Sequence, residues 1–425
     1  MNRPERRNPW VWVPSLYFAE GLPYVVALTV SVIMYKRLGI SNTDIALYTS
    51  LLYLPWVIKP LWGPVVELIR TKRLWIISLQ LVIGVSLAAV ALAIPMPGFF
   101  RATLVLFWLM AFGSATHDIA ADGFYMLGLR EHEQAAFVGV RSTFYRIAMV
   151  TGQGVLVVVA GTIETRTQGN SALAWSVTFG ILAVMFFVFF LYHKFALPFP
   201  ASDRQPERPP EHRPVGEFFR VFAAFFRKPR IGAILAFLLL YRFAESQLIK
   251  LVSPFLLDPR AQGGLGLSTS EVGVVYGTVG IIALTLGGLV GGFVIPRRGL
   301  RFWLWPMVII MHLPDLMFVY LSQVQPSDFI VINAAIAIEQ FGYGFGFTAY
   351  MLYMIMVSDG EHKTAHYAIC TGLMAAGMML PGMASGALQE WLGYQKFYIW
   401  VMISTIPGFI VTAMIRIDKD FGKKI

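Results

Sequence analysis

The chain of 425 residues has one cysteine, Cys370. No disulfide can close within it, and the lone thiol is expected to be buried and inert. Charge is also scarce. Asp, Glu, Lys and Arg together make up 14% of the residues, against about 25% in an ordinary soluble domain. Acids are scarcer than bases, 24 against 34, for a net charge of +10. No GxxxxGK[ST] stretch occurs, so a Walker-type nucleotide site is excluded. No cleavable leader is evident; "MNRPERRNPW" runs into the first apolar segment.

Apolar length is what remains. Hydrophobic residues make up 57% of the chain, and windows of about 20 apolar residues recur along it, as bilayer crossings require. The pattern predicts an all-α integral membrane protein of twelve helices. They lie near 11–36, 44–69, 74–95, 99–129, 134–161, 173–195, 229–257, 269–295, 300–323, 327–357, 362–390 and 394–416. Proline and glycine inside several of them are tolerable in a membrane bundle.

The basic excess does not point to nucleic acid, because it follows the loops. Arg3, Arg6 and Arg7 precede the first span, and Arg70, Lys72 and Arg73 follow the second. Arg297, Arg298 and Arg301 follow the eighth, and Arg416, Lys419, Lys423 and Lys424 close the chain. The odd-numbered loops hold only Lys36, Arg37, Arg101, Arg166, Arg260 and Lys396. Basic loops favour the cytoplasmic side, which predicts a membrane protein with both termini in the cytoplasm.

The chain also resembles itself. "YFAEGLP" (17–23) is echoed by "RFAESQL" (242–248), and "SNTDIA" (41–46) by "STSEVG" (268–273). "GPVVELIRTKR" (63–73) is echoed by "GLVGGFVIPRR" (288–298), and "EHEQAAFV" (131–138) by "EHKTAHYA" (361–368). The offset is 225 to 230 residues each time. Six helices have been duplicated in parallel, which is a transporter plan with substrate held near the midplane between the halves. The expected division is a six-helix bundle over 1–196, a cytoplasmic linker over 197–228 and a second bundle over 229–425. The linker's "VGEFFRVFAAFFRKP" has Phe and Val on one face and Arg and Lys on the other, as a helix lying on the membrane surface would.

Ionisable residues inside spans carry the functional hypotheses. Glu20 sits in span 1, and His117, Asp118 and Asp122 in span 4. Arg141 and Arg146 are in span 5, Arg242 and Glu245 in span 7, and Glu339 in span 10. At about 1.5 Å per residue, Asp118 lies about 16 Å and Arg146 about 18 Å from the same membrane face. Asp122 and Arg141 are both about 10 Å deep. Two acid–base rungs between spans 4 and 5 are expected. Asp118, Arg146, Glu20, His117, Arg242, Glu245 and Glu339 are the candidates for proton coupling and substrate binding. Arg242, three residues before Glu245, is expected to favour its ionised form. Glu67 with Arg70 and Arg73, and Asp122 with Arg141, are candidate gating contacts. His312 and Asp315 in span 9 read as a satisfied structural pair. No metal or other cofactor is expected, since His117, Asp118 and Asp122 do not converge easily from one helix.

The loop "GPVVELIRTKR" resembles that between helices 2 and 3 of the major facilitator superfamily, with Gly292 replacing the acid in the second copy. A narrower likeness covers both halves. "GLPYVVALT" (21–29), "LPWVIKPLWGPVVE" (54–67), "THDIAADGFY" (116–125), "FYRIAM" (144–149), "EVGVVYGTVG" (271–280), "EQFGYGFG" (339–346) and "HYAI" (366–369) resemble segments of the AmpG-type muropeptide permeases. The related acetyl-coenzyme A transporters share the span 4 signature. The resemblance implies proton-driven import of cell-wall-derived anhydro-muropeptides or related amino sugars, with Asp118, Asp122, Arg146 and Glu339 at family positions. His117 and His366 stand where that family usually has glutamine, which leaves the exact substrate open. The expected partners are a small-molecule substrate, protons and membrane lipid, with the chain as a monomer. A carrier of another sugar or acyl-carrier solute is the alternative within the fold. Outside it stand a non-transporting sensor and a prenyltransferase-like enzyme. The latter would use the DxxxD spacing of Asp118 and Asp122, but a second such motif is missing.

Overall fold

The computed structural model describes residues 6–68, 70–203, 214–360 and 362–423. Arg3, the side chain of Glu67 and most of the proline-rich linker lie outside the described set. Among the described residues every regular element is helical. Ten helices are long and apolar enough to cross a bilayer, and two further features bring the crossings to the expected twelve.

The helices are α1 (Pro9–Arg37), α2 in two pieces (Asn42–Leu51 and Leu54–Leu68), α3 (Lys72–Ala93), α4 (Phe99–Gly128), α5 (His132–Arg166) and α6 (Ser171–Ala196). There follow α7 (Ile231–Leu257), α8 (Thr269–Arg298), α9 (Leu300–Val324) and α10 (Phe329–Ser358). The final run, Ala365–Met414, is 50 residues long, more than twice the length one crossing needs. It divides at Gly393, whose φ of 71° is left-handed, into α11 (363–392) and α12 (394–414). Here only glycine supplies the conformation without strain.

Ser41 and Ser268 cap α2 and α8 as their spacing predicts. Asp44 N donates to Ser41 Oγ at 3.0 Å. Ser268 and Glu271 complete a reciprocal box, Ser268 N donating to Glu271 Oε2 at 2.7 Å. The amphipathic segment after the linker is a separate helix, Pro214–Phe226. Left-handed Arg230, φ 60°, parts it from α7. Its Phe225 is fully buried in a core with Ile234, Phe237, Ile369 and Cys370, which accounts for the sheltered thiol.

The chain forms two compact units, Met1–Leu38 with Leu61–His212 and Gly39–Pro60 with Arg213–Ile425. In the first, α3 packs on α4 and α6, and α1 on α5. Gly21 makes the second contact close: a Cβ there would meet the Tyr145 carbonyl oxygen at 3.1 Å. In the second unit α7 packs on α11, α8 and α9 pack on α10, and Asn42–Leu51 packs on α11. The stretch "GYGFG" explains how α10 fits between two neighbours. Gly342 and Gly346, one turn apart, face α9 at Ile310 and Met307, while Gly344 faces α8 at Leu284. Leu92, Val105, Val184, Phe195, Leu289 and Phe293 are exposed. In water so many exposed apolar side chains would drive association; on a multi-pass membrane protein they face lipid.

Candidate functional site

In the first unit α4 presents Asp118 and Asp122 one turn apart on one face. Asp122 Oδ1 accepts from Arg141 Nη2 at 2.7 Å and from Tyr17 OH at 3.1 Å. The same guanidinium lies 4.4 Å from the centre of the Tyr17 ring and 5.2 Å from that of Tyr125. The lower of the two expected rungs is therefore made, and two tyrosines extend it. Asp118 meets another acid: its side chain and that of buried Glu20 are hydrogen-bonded to each other. An ionised carboxylate only accepts hydrogen bonds, so a hydrogen bond between these two acids forms only while one of them carries a proton. Arg146 lies partly buried on α5, five residues beyond Arg141.

His117 is fully buried but joins a different set. Gln80 Nε2 on α3 donates to His117 Nε2 at 3.1 Å, and His193 Nδ1 on α6 donates to Gln80 Oε1 at 3.0 Å. His193 Nε2 lies 3.0 Å from Ser15 Oγ on α1. This chain of polar groups ties four helices and satisfies groups that would be costly to bury alone. The gating candidates after α2 also separate. Arg70 is exposed with φ 65°. Arg73 reaches the carbonyls of Lys194 and Leu197 at the end of α6 and lies 3.8 Å over the Phe199 ring. Cations suit helix C-termini. Asp203 accepts from Lys72 N at 2.8 Å and Arg73 N at 3.1 Å, capping α3.

In the second unit Arg242 acts on Glu245 through Coulomb attraction, as expected, but no hydrogen bond joins the two. A turn at Tyr241 and Arg242 breaks α7, and Arg242 begins the piece Phe243–Leu257 from a non-helical φ of −107°. Arg242 Nη2 donates to Tyr343 OH, and the guanidinium lies 4.7 Å over the Phe347 ring. Glu245 instead faces Asp315 and Glu339, each offering an oxygen within 4.8 Å of the others. All three acids are at most 1% exposed. Neither oxygen of Glu245 or Asp315 has a hydrogen-bond partner; Glu339 Oε2 accepts from Gln340 Nε2 at 3.0 Å. His312 Nδ1 is 3.8 Å from Asp315 Oδ2, too far for a hydrogen bond, so the pair expected to be satisfied is not. Tyr241 is fully buried, donates to the Gly346 carbonyl at 3.1 Å and packs on Tyr350.

The profile of the Major Facilitator Superfamily matches residues 15–380. The chain belongs to the Major Facilitator Superfamily. Among curated proteins it is similar to an uncharacterized protein of Haemophilus influenzae, 25% identical over 410 residues, covering 92% of this chain and 91% of that protein. It is also similar to the anhydromuropeptide permease of Escherichia coli K12, 24% identical over 421 residues, covering 96% of this chain and 80% of the permease. The nucleoside transporter NupG shares the fold with a TM-score of 0.72 at 15% identity, over 97% of this chain and all of NupG.

Set within that superfamily fold, the structure adds two residues that the sequence does not single out, Gln80 and His193, and gives Asp315 a different setting. Gln80 and His193 were hidden because single polar residues in "SLQLV" and "LYHKF" look like isolated defects until a partner helix is known. Asp315 reads from sequence as half of a structural pair with His312. The signal for its different setting was Pro314, which accompanies the 3-10 turn Leu313–Asp315 inside α9. Tighter winding there changes the face on which Asp315 emerges.

Proposed function

We propose that this protein is a proton-coupled secondary transporter that imports cell-wall-derived anhydro-muropeptides or related amino sugars across a bacterial inner membrane. The observation that carries the coupling is the Glu20–Asp118 contact. Two acids sharing a proton on membrane-buried helices form a group that can gain or lose charge as solute binds. The substrate class rests on the near full-length similarity to the Escherichia coli permease. Arg146, half-buried on α5, is the arginine assigned to an acidic lactyl or peptide carboxylate, which its planar fork would grip at two points. Arg242 is largely committed to Tyr343 and Phe347. A catalytic reading through the paired aspartates fits poorly. Asp122 is held by Arg141 and Tyr17, and Asp118 by Glu20, unlike two carboxylates converging on a magnesium diphosphate. In this reading the chain works as a monomer with both termini cytoplasmic.

The test is uptake into proteoliposomes of labelled anhydro-muropeptide, free N-acetylmuramic acid and plain disaccharides. The reading expects the first to be taken up, and an inward proton gradient to increase the rate. Equal uptake of plain disaccharides would move the assignment to a general sugar carrier.

A further inference from the structure

The three acids of the second unit differ from the Glu20–Asp118 pair in one decisive respect. Glu20 and Asp118 are hydrogen-bonded to each other. Glu245, Asp315 and Glu339 converge within 4.8 Å, yet both oxygens of Glu245, both of Asp315 and Oε1 of Glu339 lack any hydrogen-bond partner. Carboxyls that share a proton sit close enough to bond, about 2.5–2.7 Å between oxygens. These oxygens are instead arranged around a common centre. A separation of up to 4.8 Å is what two ligands on opposite sides of one ion show at metal–oxygen distances of about 2.4 Å, the range for hard cations.

His312 supplies an independent sign. It comes from the preceding turn of α9 and is 1% exposed. Its Nδ1 faces Asp315 Oδ2 at 3.8 Å and has no hydrogen-bond partner. It is thus a buried polar side chain turned toward the acids. Arg242 gives its hydrogen bond to Tyr343 and reaches Glu245 only through Coulomb attraction. Lys250 Nζ donates to Thr49 Oγ1 at 3.1 Å. No Lys or Arg hydrogen-bonds the unpartnered oxygens of the three acids, and three ionised carboxylates buried together are very unfavourable without a cation beside them.

We propose that Glu245, Asp315 and Glu339 form a binding site for a hard, oxygen-ligated cation of the size of Na+ or Ca2+, brought together by α7, α9 and α10. An all-carboxylate donor set selects such ions over the softer metals that prefer thiolate or imidazole. The site is separate from the Glu20–Asp118 pair and stands whatever solute the protein carries. The glycines of "GYGFG" set its geometry, because they fix α10, and with it Glu339, against α8 and α9.

The experiment is equilibrium binding of 22Na+ and of 45Ca2+ to the purified full-length chain in detergent micelles. The protein is first exchanged into sodium-free, chelator-treated choline buffer at pH 8. One of the two ions is expected to bind saturably at about one per chain and to raise the melting temperature. Asp315→Asn, Glu339→Gln and Glu245→Gln should each weaken binding tenfold or more, while Asp418→Asn, in the exposed tail, should not. Which isotope binds identifies the ion. Absence of saturable binding of both ions to the unmodified protein overturns the proposal, as does binding that survives in folded Asp315→Asn and Glu339→Gln proteins. If an amide variant does not fold, the unmodified protein's binding and ion-dependent melting still decide. No transport is measured, so failure here leaves the transport reading untouched.

Discussion

Replacing Gly344 by alanine perturbs the second unit where α10 packs closest on α8. A Cβ at this position would lie 2.8 Å from the carbonyl carbon of Leu284 and 3.1 Å from the nitrogen of Gly288, closer still to the Leu284 oxygen. Non-bonded carbons rest at about 3.5–4.0 Å, so α8 and α10 must part by roughly 0.7 Å or more. The atoms in the way are backbone, and no side chain can rotate aside. Overpacking of this kind costs about 1–3 kcal/mol, while alanine recovers up to about 1 kcal/mol of helix propensity. The net expectation is destabilisation by about 1–2 kcal/mol. Because Glu339 lies on the same helix, solute accumulation should fall by more than the loss of folded protein explains. The assay is thermal melting followed by gel filtration, paired with uptake per folded molecule. A melting temperature equal to or above that of the parent, with unchanged uptake, would refute the packing argument. Gly292→Ala is the control, since a Cβ there meets nothing within 4 Å.

Further expectations follow from individual contacts. Asp122→Asn and Arg141→Gln should be non-additive in melting, with a coupling of about 0.5–1 kcal/mol, because the pair is partly exposed, at 43% and 30% of its side chains. Simple additivity would show that the rung does not form. Asp203→Ala should cost about 1–2 kcal/mol by uncapping α3, read as a lower melting temperature that Asp203→Asn restores in part. Asn42 Nδ2 donates to Gln389 Oε1 at 2.6 Å and to Tyr394 OH at 2.9 Å, and Tyr394 OH donates to Asp258 Oδ2 at 2.6 Å. Asn42→Leu should therefore destabilise by about 1–3 kcal/mol by stranding buried partners, and an unchanged melting curve would count against that network.

The helical crossings were legible because each needs a long apolar run, and a bilayer leaves few other solutions for the backbone. Even the break between the last two helices fell where Gly393 interrupts the pattern. Asp122 and Arg141 could be paired because depth along neighbouring antiparallel helices follows from residue count alone. What counting does not provide is rotation. Arg242 and Glu245 are three apart in sequence and still interact by charge, yet Arg242 hydrogen-bonds Tyr343 while Glu245 converges with Asp315 and Glu339. Asp315 emerges beside Glu245 and Glu339 because a 3-10 turn rewinds α9 locally. His117 adjoins Asp118 in sequence, but successive residues on a helix point about 100° apart, so it joins Gln80 and His193 instead. Glu20 on α1 and Asp118 on α4 meet at a helix-to-helix distance that sequence does not record.

Accumulation of labelled anhydro-muropeptide in proteoliposomes under an imposed inward proton gradient tests the central claim most directly, with the unmodified protein beside Glu20→Gln and Asp118→Asn. The account predicts that the unmodified protein accumulates solute and that a protonophore abolishes this. The two variants should still exchange solute at equal pH but lose accumulation against a gradient. Accumulation that is indifferent to the proton gradient, or that persists at the parent level in both variants, would contradict it.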